Sequence, residues 1–416
     1  MTKFHIKLPM TNFEEIEKHC EENSAFTRNV IDGFLINYAA KNERLEPEMA
    51  AHLKRFKGVV DEIPEQYINF FLSEYIAHRI FRKGGFISKY LNLPRIKSLP
   101  KQELQQLEFQ SRNPWRFSFA NILNNPSNAF FEMEDILSGE QYLLYSPGMQ
   151  ATEHAQQQRL WFNLIAFNGK CWQTFGMIVP FRSFTADDIF FFATELNPQT
   201  ESEETIMNDI ESNPFPFFML VTGSGIPVVV SRDHEMVICQ STYILDALPS
   251  EKLATEFSIA WNKNVYQLKL KMKSDMPHFA IAYYDEKKNE LIRTAMTNDG
   301  FESLTKALSK AGLNLSNDAD IVVSPGMQIT AEKILNKKIA LNPYEKLFDS
   351  VVNEEQSDEL KRINHFIELA LPFYNEQKEM NIQELAEQAG ISMESAISIW
   401  EQVRKNTDQP KKRHNP

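Results

Sequence analysis

Cysteine is scarce in this chain of 416 residues, which contains only Cys20, Cys171 and Cys239. The three lie far apart in the sequence, and no two of them have the Cys-x-x-Cys spacing of a zinc or redox motif. An odd number of widely separated cysteines does not predict the disulfide framework of a small secreted domain. We therefore expect free thiols in a reducing compartment, for which the cytoplasm is the simplest location.

Glycine is also scarce: 14 residues leave few positions for the glycine-rich loops that bind phosphate groups. Gly223-Ser224-Gly225 follows an apolar run, but Pro227 and a strand-like stretch stand where the phosphate-binding helix should begin. The His-Glu-x-x-His pattern of metalloproteases and the Gly-x-Ser-x-Gly pattern of hydrolases are absent. The sequence therefore predicts no catalytic residue, no cofactor and no metal site.

Long apolar runs are missing as well, and no stretch approaches the roughly 18 residues that a membrane helix needs. Met1–Met10 carries charges and a proline instead of the apolar core of a secretion signal. Acidic side chains outnumber basic ones by 56 to 44, and the net charge of −12 disfavours indiscriminate binding to polyanions. These absences predict a cytoplasmic protein that does not bind membranes.

The length and the 43% hydrophobic content favour several folded domains. Apolar residues recur at helical spacing up to residue 112, and from about residue 113 the pattern becomes strand-like. We therefore predict a multi-domain α+β protein. Its parts are a helical N-terminal region (1–112), two strand-rich α+β modules (113–200 and 201–345) and a C-terminal helical unit (355–408).

Local signals predict individual elements inside the modules. Turn residues separate pairs of strand-like runs, which predicts three hairpins: Phe130–Ile136 with Gln141–Tyr145, Leu160–Phe167 with Cys171–Val179, and Phe279–Tyr284 with Leu291–Met296. Asn168-Gly169 favours a type I′ turn in the second of them. Helices are expected from near Thr185 and over Phe301–Ala311. Asn197–Glu211 is expected to be a linker, and Phe215–Val221 and Ile226–Val230 are expected to be strands.

The heptapeptide pattern Ser-Pro-Gly-Met-Gln-x-Thr occurs twice, at Ser146–Thr152 and at Ser324–Thr330. Each copy follows a strand-like run and precedes a helix-compatible stretch, which favours an internal repeat. Two interpretations stay open: duplication of the strand-rich modules, or a recurrent turn without common ancestry of its flanks. We expect Pro and Gly at the centre of a type II turn, and Thr152 and Thr330 as N-caps of the next helices.

Residues 381–402 carry the most specific pattern. Ala386 would lie on the buried face of a first helix, Gly390 permits the left-handed residue that ends it, and Ser392 can cap a second helix that buries Ala396. This spacing of a small residue, a glycine and a buried apolar residue resembles the bacterial helix-turn-helix. The resemblance implies that the second helix contacts a partner, which in that family is nucleic acid.

The charge of this C-terminal segment does not favour DNA. Residues 355–416 contain 8 basic and 11 acidic side chains, a net charge of −3, whereas a surface that binds phosphates is normally basic. Nucleic acid and a protein partner therefore both stay open. The contacts that we expect from this unit are Ser395, Ser398, Arg404 and Lys405.

The most basic stretch, Arg79–Lys101, holds seven basic side chains and no acidic one. Phe81, Phe86 and Tyr90 lie among them, as stacking groups do in proteins that bind single strands. The stretch predicts contact with nucleic acid or with an acidic protein partner, and a solvated connector is the alternative. The candidate contacts are Arg79, Arg82, Lys83, Lys89, Arg95 and Lys97.

Acidic residues supply a rival, enzymatic hypothesis. Glu132 and Glu134 alternate on an expected strand, so their carboxylates share a face, and His234 lies in a dense titratable cluster. Residues 128–140 also resemble the central region of some bacterial proteins that end in a SecA-type zinc motif. This chain lacks that cysteine-rich motif, so the resemblance implies no metal site.

Together these patterns favour a cytoplasmic binding or regulatory protein whose terminal helix-turn-helix-like unit contacts nucleic acid or a protein partner. The alternative is an enzyme of unassigned class with a site in the strand-rich modules.

Overall fold

The computed structural model describes residues 12–152, 154–231, 234–248, 250–271 and 279–348, and, between 362 and 400, residues 362, 365, 366, 369, 370, 373, 380–393, 395–397, 399 and 400. The chain divides into two compact units, Met1–Leu341 and Asn342–Pro416. A helical N-terminal region followed by several sheets confirms the α+β class. The expected borders at residues 112 and 200 both lie inside the first unit. Among the described helices, none combines the length and the apolar character needed to cross a membrane.

Helices form the described chain before residue 113. They are α1 Phe13–Phe26, α2 Asn37–Asn42, α3 Leu45–Leu53, α4 Lys57–Val60, α5 Glu65–Phe81, α6 Ile87–Tyr90, α7 Pro94–Lys97 and α8 Lys101–Arg112. A π-helix, Thr27–Ile36, continues directly from α1. Asn12 caps α1 by accepting a hydrogen bond from the amide of Glu15. Pro94 begins α7, where the amide that proline lacks would have no helical partner.

Five strands form a closed barrel in the order β1-β2-β3-β5-β4. They are β1 Arg116–Ser127, β2 Phe130–Asp135, β3 Gln141–Tyr145, β4 Leu160–Phe167 and β5 Trp172–Phe181, with the short helix α9 Pro147–Ala151 after β3. All pairs are antiparallel except β3 with β5. Pairing of β1 with β4 closes the barrel, so none of its five strands keeps a free edge.

The barrel strand β4 buries both of its faces. On β4, Phe162 and Leu164 face the large core shared with the N-terminal helices, while Trp161 and Ile165 face a smaller core on the barrel's inner side. Successive side chains of a strand point to opposite faces, so this alternation follows from the strand itself. The N-terminal helices and the barrel therefore fold around one shared core.

A second sheet of six strands has the order β13-β8-β12-β11-β10-β9, and a two-stranded sheet joins β6 and β7. The strands are β6 Val230–Ser231, β7 His234–Glu235, β8 Ile238–Ile244, β9 Phe257–Asn262, β10 Val265–Leu270, β11 Ile281–Asp285, β12 Glu290–Ala295 and β13 Ile321–Val323. The helices of this region are α10 Ala186–Leu196, α11 Glu203–Ser212, α12 Phe215–Phe218, α13 Ser250–Glu256, α14 Asn298–Lys310 and α15 Pro325–Leu335. Apolar residues of α14 pack on one face of the six-stranded sheet.

The three hairpins expected from the sequence are confirmed as β2–β3, β4–β5 and β11–β12. The helix expected near Thr185 is confirmed as α10, which begins with a capping box formed by Thr185 and Asp188. The type I′ turn is wrong. Only Gly169 has a positive φ in the four-residue β4–β5 loop, because the side chain of Asn168 accepts hydrogen bonds from the amides of Lys170 and Cys171 and builds an Asx turn.

Three other expectations are wrong. Asn197–Glu211 is not a simple linker, because it contains most of α11, which Ser202 caps and which buries Ile206 and Ile210. Phe215–Val221 is helical and not a strand. Its first four residues form α12 and are all buried, and a short 3₁₀ segment follows. An apolar run that is buried all round has no period that separates helix from strand. Only Val230 of the expected strand Ile226–Val230 is in a strand.

The repeated heptapeptide begins a helix in both copies, so the expected type II turn is wrong. Ser146 and Ser324 are the N-caps and accept hydrogen bonds from the amides of Met149 and Met327, and each Pro occupies the first helical position. Each Thr bonds back to the carbonyl oxygen of its Gly and caps no new helix. The seven residues thus form a strand-to-helix connection, after β3 in one copy and after β13 in the other. This role accounts for the pattern without a ligand.

Replacing Gly326 with alanine should destabilise the protein by about 1–3 kcal/mol. A Cβ atom there would lie 2.8 Å from Cγ2 of Ile226. In an Ile226→Ala background the same change should become neutral or stabilising, because alanine is favoured over glycine within a helix by about 1 kcal/mol. Urea denaturation of the two single variants and the double variant measures this coupling. Equal costs in both backgrounds would contradict it.

Candidate functional site

The C-terminal unit, described by itself, contains α16 Glu345–Phe348 and α17 Ile382–Ala389. Asn381 caps α17 by accepting a hydrogen bond from the amide of Glu384. Gly390 ends the helix in the left-handed conformation, with φ of 69°, and the amide of Ile391 returns to the carbonyl oxygen of Ala386 at 3.0 Å. The chain then turns, and Ser392 accepts a hydrogen bond from the amide of Ser395 at the start of a second helical segment.

A small apolar core holds these two helical segments together. Ala386 and Ala389 of α17 pack with Ala396 and Trp400 of the second segment and with earlier helical residues such as Phe366. Alanine at the contact positions lets the two segments approach closely, and Gly390 supplies the change of direction. The local geometry expected around Ala386, Gly390 and Ala396 is therefore present. Relationship to the helix-turn-helix family stays a prediction.

The second helical segment leaves two apolar side chains in solvent. Met393 is 44% exposed and Ile397 is 39% exposed, and their spacing of four residues places them on neighbouring turns of one helix. We call this pair the apolar edge. Ser395 is also exposed. The other predicted contacts of this unit, Ser398, Arg404 and Lys405, lie outside the described residues.

Most cations of the basic stretch have partners inside the protein. Arg79 donates hydrogen bonds to Glu48 and to the hydroxyl of Tyr75, both at 2.7 Å, and Lys89 pairs with Glu43 at 2.6 Å. The ion pair with Lys89 and a hydrogen bond from Tyr90 lower the pKa of Glu43.

The remaining cations of the stretch fall into two groups. Arg82 donates to the carbonyl oxygen of Glu211, and Arg95 lies over the ring of Phe34 at 4.1 Å. Lys83 and Lys97 are exposed, as is Lys101. These three lysines are the cations that a partner reaches without breaking a described contact.

The aromatic residues of the stretch do not form a stacking surface. Phe81 and Tyr90 are buried, and Phe81 stacks on Trp115 with 4.4 Å between ring centroids. Phe86 is partly buried and lies beneath Arg79 and Lys89. Contact with nucleic acid or with an acidic protein through this stretch stays a prediction, and it depends on Lys83 and Lys97 more than on the rings.

The residues of the enzymatic hypothesis lie on separate elements. Glu132 and Glu134 are half-buried on one face of β2, and Glu134 accepts a hydrogen bond from Gln141. His234 lies in β7, 3.4 Å from Asp299. Within the described ranges, no group of three or more His, Cys, Asp or Glu side chains is arranged to hold a metal ion. The geometry gives these residues no shared chemistry, and the enzymatic function stays a prediction.

A cleft of about 360 Å³ lies where the π-helix meets β5. Sequence patterns did not indicate it, because it draws residues from α1, the π-helix, α5, α8 and β5. Its buried amides already bond within the protein: Asn23 donates to Gln173, and Gln110 accepts from Trp115, both at 2.7 Å. These two amides are therefore already satisfied within the protein.

The structure also brings together two thiols that lie far apart in the sequence. Sγ of Cys20 and Sγ of Cys171 lie 3.3 Å apart and are buried. Both are free thiols in the structure, and their contact is a feature that the sequence did not predict. The two residues are separated by 151 positions, so no short motif signals their contact.

Comparison of the chain with protein-family models, with curated proteins and with solved structures finds no match. Function must therefore be argued from the geometry of the residues themselves.

Proposed function

We propose that this is a binding or regulatory protein whose C-terminal unit contacts a protein partner through the apolar edge, Met393 and Ile397. The observation that carries the proposal is the exposure of these two side chains on neighbouring turns of a capped helix. Exposed apolar residues at this spacing can fill an apolar groove of a partner, and methionine adapts readily to irregular surfaces.

The charge around the apolar edge argues for protein over nucleic acid. Residues 380–400 contain three acidic side chains, Glu384, Glu387 and Glu394, and no lysine or arginine. A helix that enters a DNA groove needs nearby cations to offset the phosphates. The partner that fits this surface has an apolar patch flanked by basic side chains.

Replacing both residues of the apolar edge with aspartate should weaken partner binding at least tenfold, which corresponds to about 1.4 kcal/mol or more. The test uses the full-length chain as bait in a quantitative co-purification. Any protein that it retains is then purified, and its direct binding is measured by titration calorimetry. Gln388→Asp is the matched control, because Gln388 is an exposed residue of α17 and lies on the other helical segment.

Equal binding by the double variant and the control would contradict a role for the apolar edge. A second measurement tests the alternative that the protein binds nucleic acid. It uses filter binding of mixed DNA and RNA at two salt concentrations. Steeply salt-dependent binding would support nucleic acid instead, since counterion release governs that interaction.

A further inference from the structure

The thiol pair, Cys20 and Cys171, joins two elements that are distant in the sequence. Cys20 lies on α1, and Cys171 lies in the β4–β5 loop. The two Sγ atoms are 3.3 Å apart, whereas a disulfide bond is about 2.0 Å long, so about 1.3 Å separates the present contact from a covalent bond. Both thiols are buried beside Phe130 and Tyr145, in a small core between α1 and the barrel.

Asn168 organises the environment of the two sulfur atoms. Its Oδ1 accepts hydrogen bonds from the amides of Lys170 and Cys171, both at 2.9 Å, which turns its Nδ2 towards the sulfurs. Nδ2 lies 3.2 Å from Sγ of Cys20 and 3.7 Å from Sγ of Cys171. The Asx turn of the loop thus places an N–H donor beside the thiol pair.

The pKa values of the two thiols are shifted in opposite directions. Hydrogen bonds from Cys171 and then from Asn168 lower the pKa of Cys20, although burial opposes this change. The hydrogen bond to Cys20, followed by burial, raises the pKa of Cys171. Cys20 is therefore the thiol of the pair that loses its proton more readily. The thiolate is the form of cysteine that reacts.

We propose that the thiol pair is an oxidation site, at which hydrogen peroxide converts Cys20 and Cys171 into an intramolecular disulfide. The Cys20 thiolate attacks one peroxide oxygen, the O–O bond breaks, and hydroxide leaves as Cys20 becomes a sulfenic acid. Cys171 then loses its proton and attacks the Cys20 sulfur. The S–S bond forms, the S–O bond breaks, and the hydroxide leaves as water. Overall, two thiols and one peroxide give one disulfide and two waters.

Access to the thiol pair depends on α1. The helix covers the sulfurs and is held to the loop by His19, whose Nε2 lies 2.9 Å from the carbonyl oxygen of Asn168, and by an ion pair between Glu15 and Lys170 at 3.4 Å. Local opening of one helix needs less free energy than global unfolding. Oxidation would then fasten this helix to the barrel.

The direct test compares the full-length chain after reduction and after peroxide treatment. Each sample is unfolded and alkylated, and its thiols are counted by mass spectrometry. Reduced protein should show all three cysteines alkylated, and oxidised protein should show only Cys239 alkylated, together with a peptide that links Cys20 to Cys171. The midpoint of urea unfolding should rise on oxidation. The proposal would be overturned if all three cysteines were still alkylated after peroxide treatment, or if the disulfide joined two chains.

Variants give an independent check. Cys171→Ser should abolish the linked peptide and the rise in the unfolding midpoint. Cys239→Ser is the matched control and should retain both, because Cys239 is also buried and burial raises its pKa to about 11. Asn168→Ala should slow disulfide formation several-fold without preventing it. If Cys171→Ser is poorly folded, the search for the linked peptide in the unmodified chain still tests the proposal. Disulfide formation that persists in well-folded Cys171→Ser protein would show that the pair is wrongly assigned.

Discussion

Arg293→Ala is expected to destabilise the second sheet by about 3–5 kcal/mol, as for the loss of other large buried side chains that anchor a polar network. Arg293, on β12, is fully buried, and its guanidinium lies between the rings of Tyr243 at 4.8 Å and Phe301 at 4.5 Å. It donates to the hydroxyl of Tyr243 and to the carbonyl oxygen of Ser316, both at 3.0 Å. Arg293 also donates to the hydroxyl of Thr305, so alanine would leave a cavity and three acceptors without their donor.

Arg293→Met separates packing from charge. The methionine side chain can still fill the space between the two rings, and it carries no charge that must be desolvated, so it should cost less than alanine. Urea denaturation followed by circular dichroism measures both variants. Lys306→Ala is the control, since Lys306 is exposed on α14 and pairs only with Glu302 among the described residues; it should change stability by no more than about 0.5 kcal/mol. An Arg293→Ala variant as stable as this control would contradict an anchoring role.

Sequence patterns predicted the elements whose signals are local. Thr185 and Asp188 stand at the spacing of a capping box, and the structure places the start of α10 between them. Gly390 was expected to end a helix, and it does so through the positive φ that glycine adopts without strain. Each of these features depends on residues within four positions of one another, so one stretch of sequence contains the whole signal.

The repeated heptapeptide shows how a correct local signal can be assigned to the wrong structure. Pro followed by Gly suits a type II turn, but Ser followed by Pro suits an N-cap and the first helical residue equally well. Contacts outside the heptapeptide favour the helix: Ile178 packs against Gly148, Ile226 packs against Gly326, and both methionines are buried. These contacts come from other parts of the chain, and a turn preference does not contain them.

Features that depend on the fold as a whole could not be predicted. Parallel pairing of β3 with β5 joins strands that are separated in the sequence by α9 and β4, and no local period encodes it. The contact between Cys20 and Cys171 needs α1 and the β4–β5 loop packed together, and these elements are far apart in the sequence. The apolar edge could not be predicted for the same reason. The exposure of Met393 and Ile397 depends on where Phe366 and Trp400 lie in the core of the C-terminal unit.

Glu74→Gln is expected to stabilise the first unit increasingly as the pH rises above about 4.5. Glu74 lies on α5 and is buried, and its carboxyl accepts a hydrogen bond from the amide of Met177. Burial raises its pKa well above the ordinary value of 4.5 for a glutamate, and the hydrogen bond only partly opposes this change. The folded protein therefore keeps the proton at pH values where the unfolded chain has released it.

The sign of the effect follows from the number of bound protons. Below about pH 4.5 both states are protonated and Glu74 contributes no pH dependence. Above that value the unfolded state binds fewer protons, so the free energy of unfolding falls by up to about 1.4 kcal/mol per pH unit until the folded carboxyl ionises. Glutamine does not titrate and retains an oxygen that can accept the Met177 amide, so this loss should disappear.

Urea denaturation at a series of pH values from 5 to 8 measures the difference in the free energy of unfolding between Glu74→Gln and the unmodified chain. Burial also raises the pKa of Asp187 and Asp188, but both proteins share those groups, so their effects cancel in the difference. Glu65→Gln on the same helix is the control, because Glu65 is exposed. A difference that stays constant with pH would mean that Glu74 is ionised within the fold. The charge would then need a stabilising partner besides the amide of Met177, in the space beside Gly176 that the Glu74 carboxyl now fills.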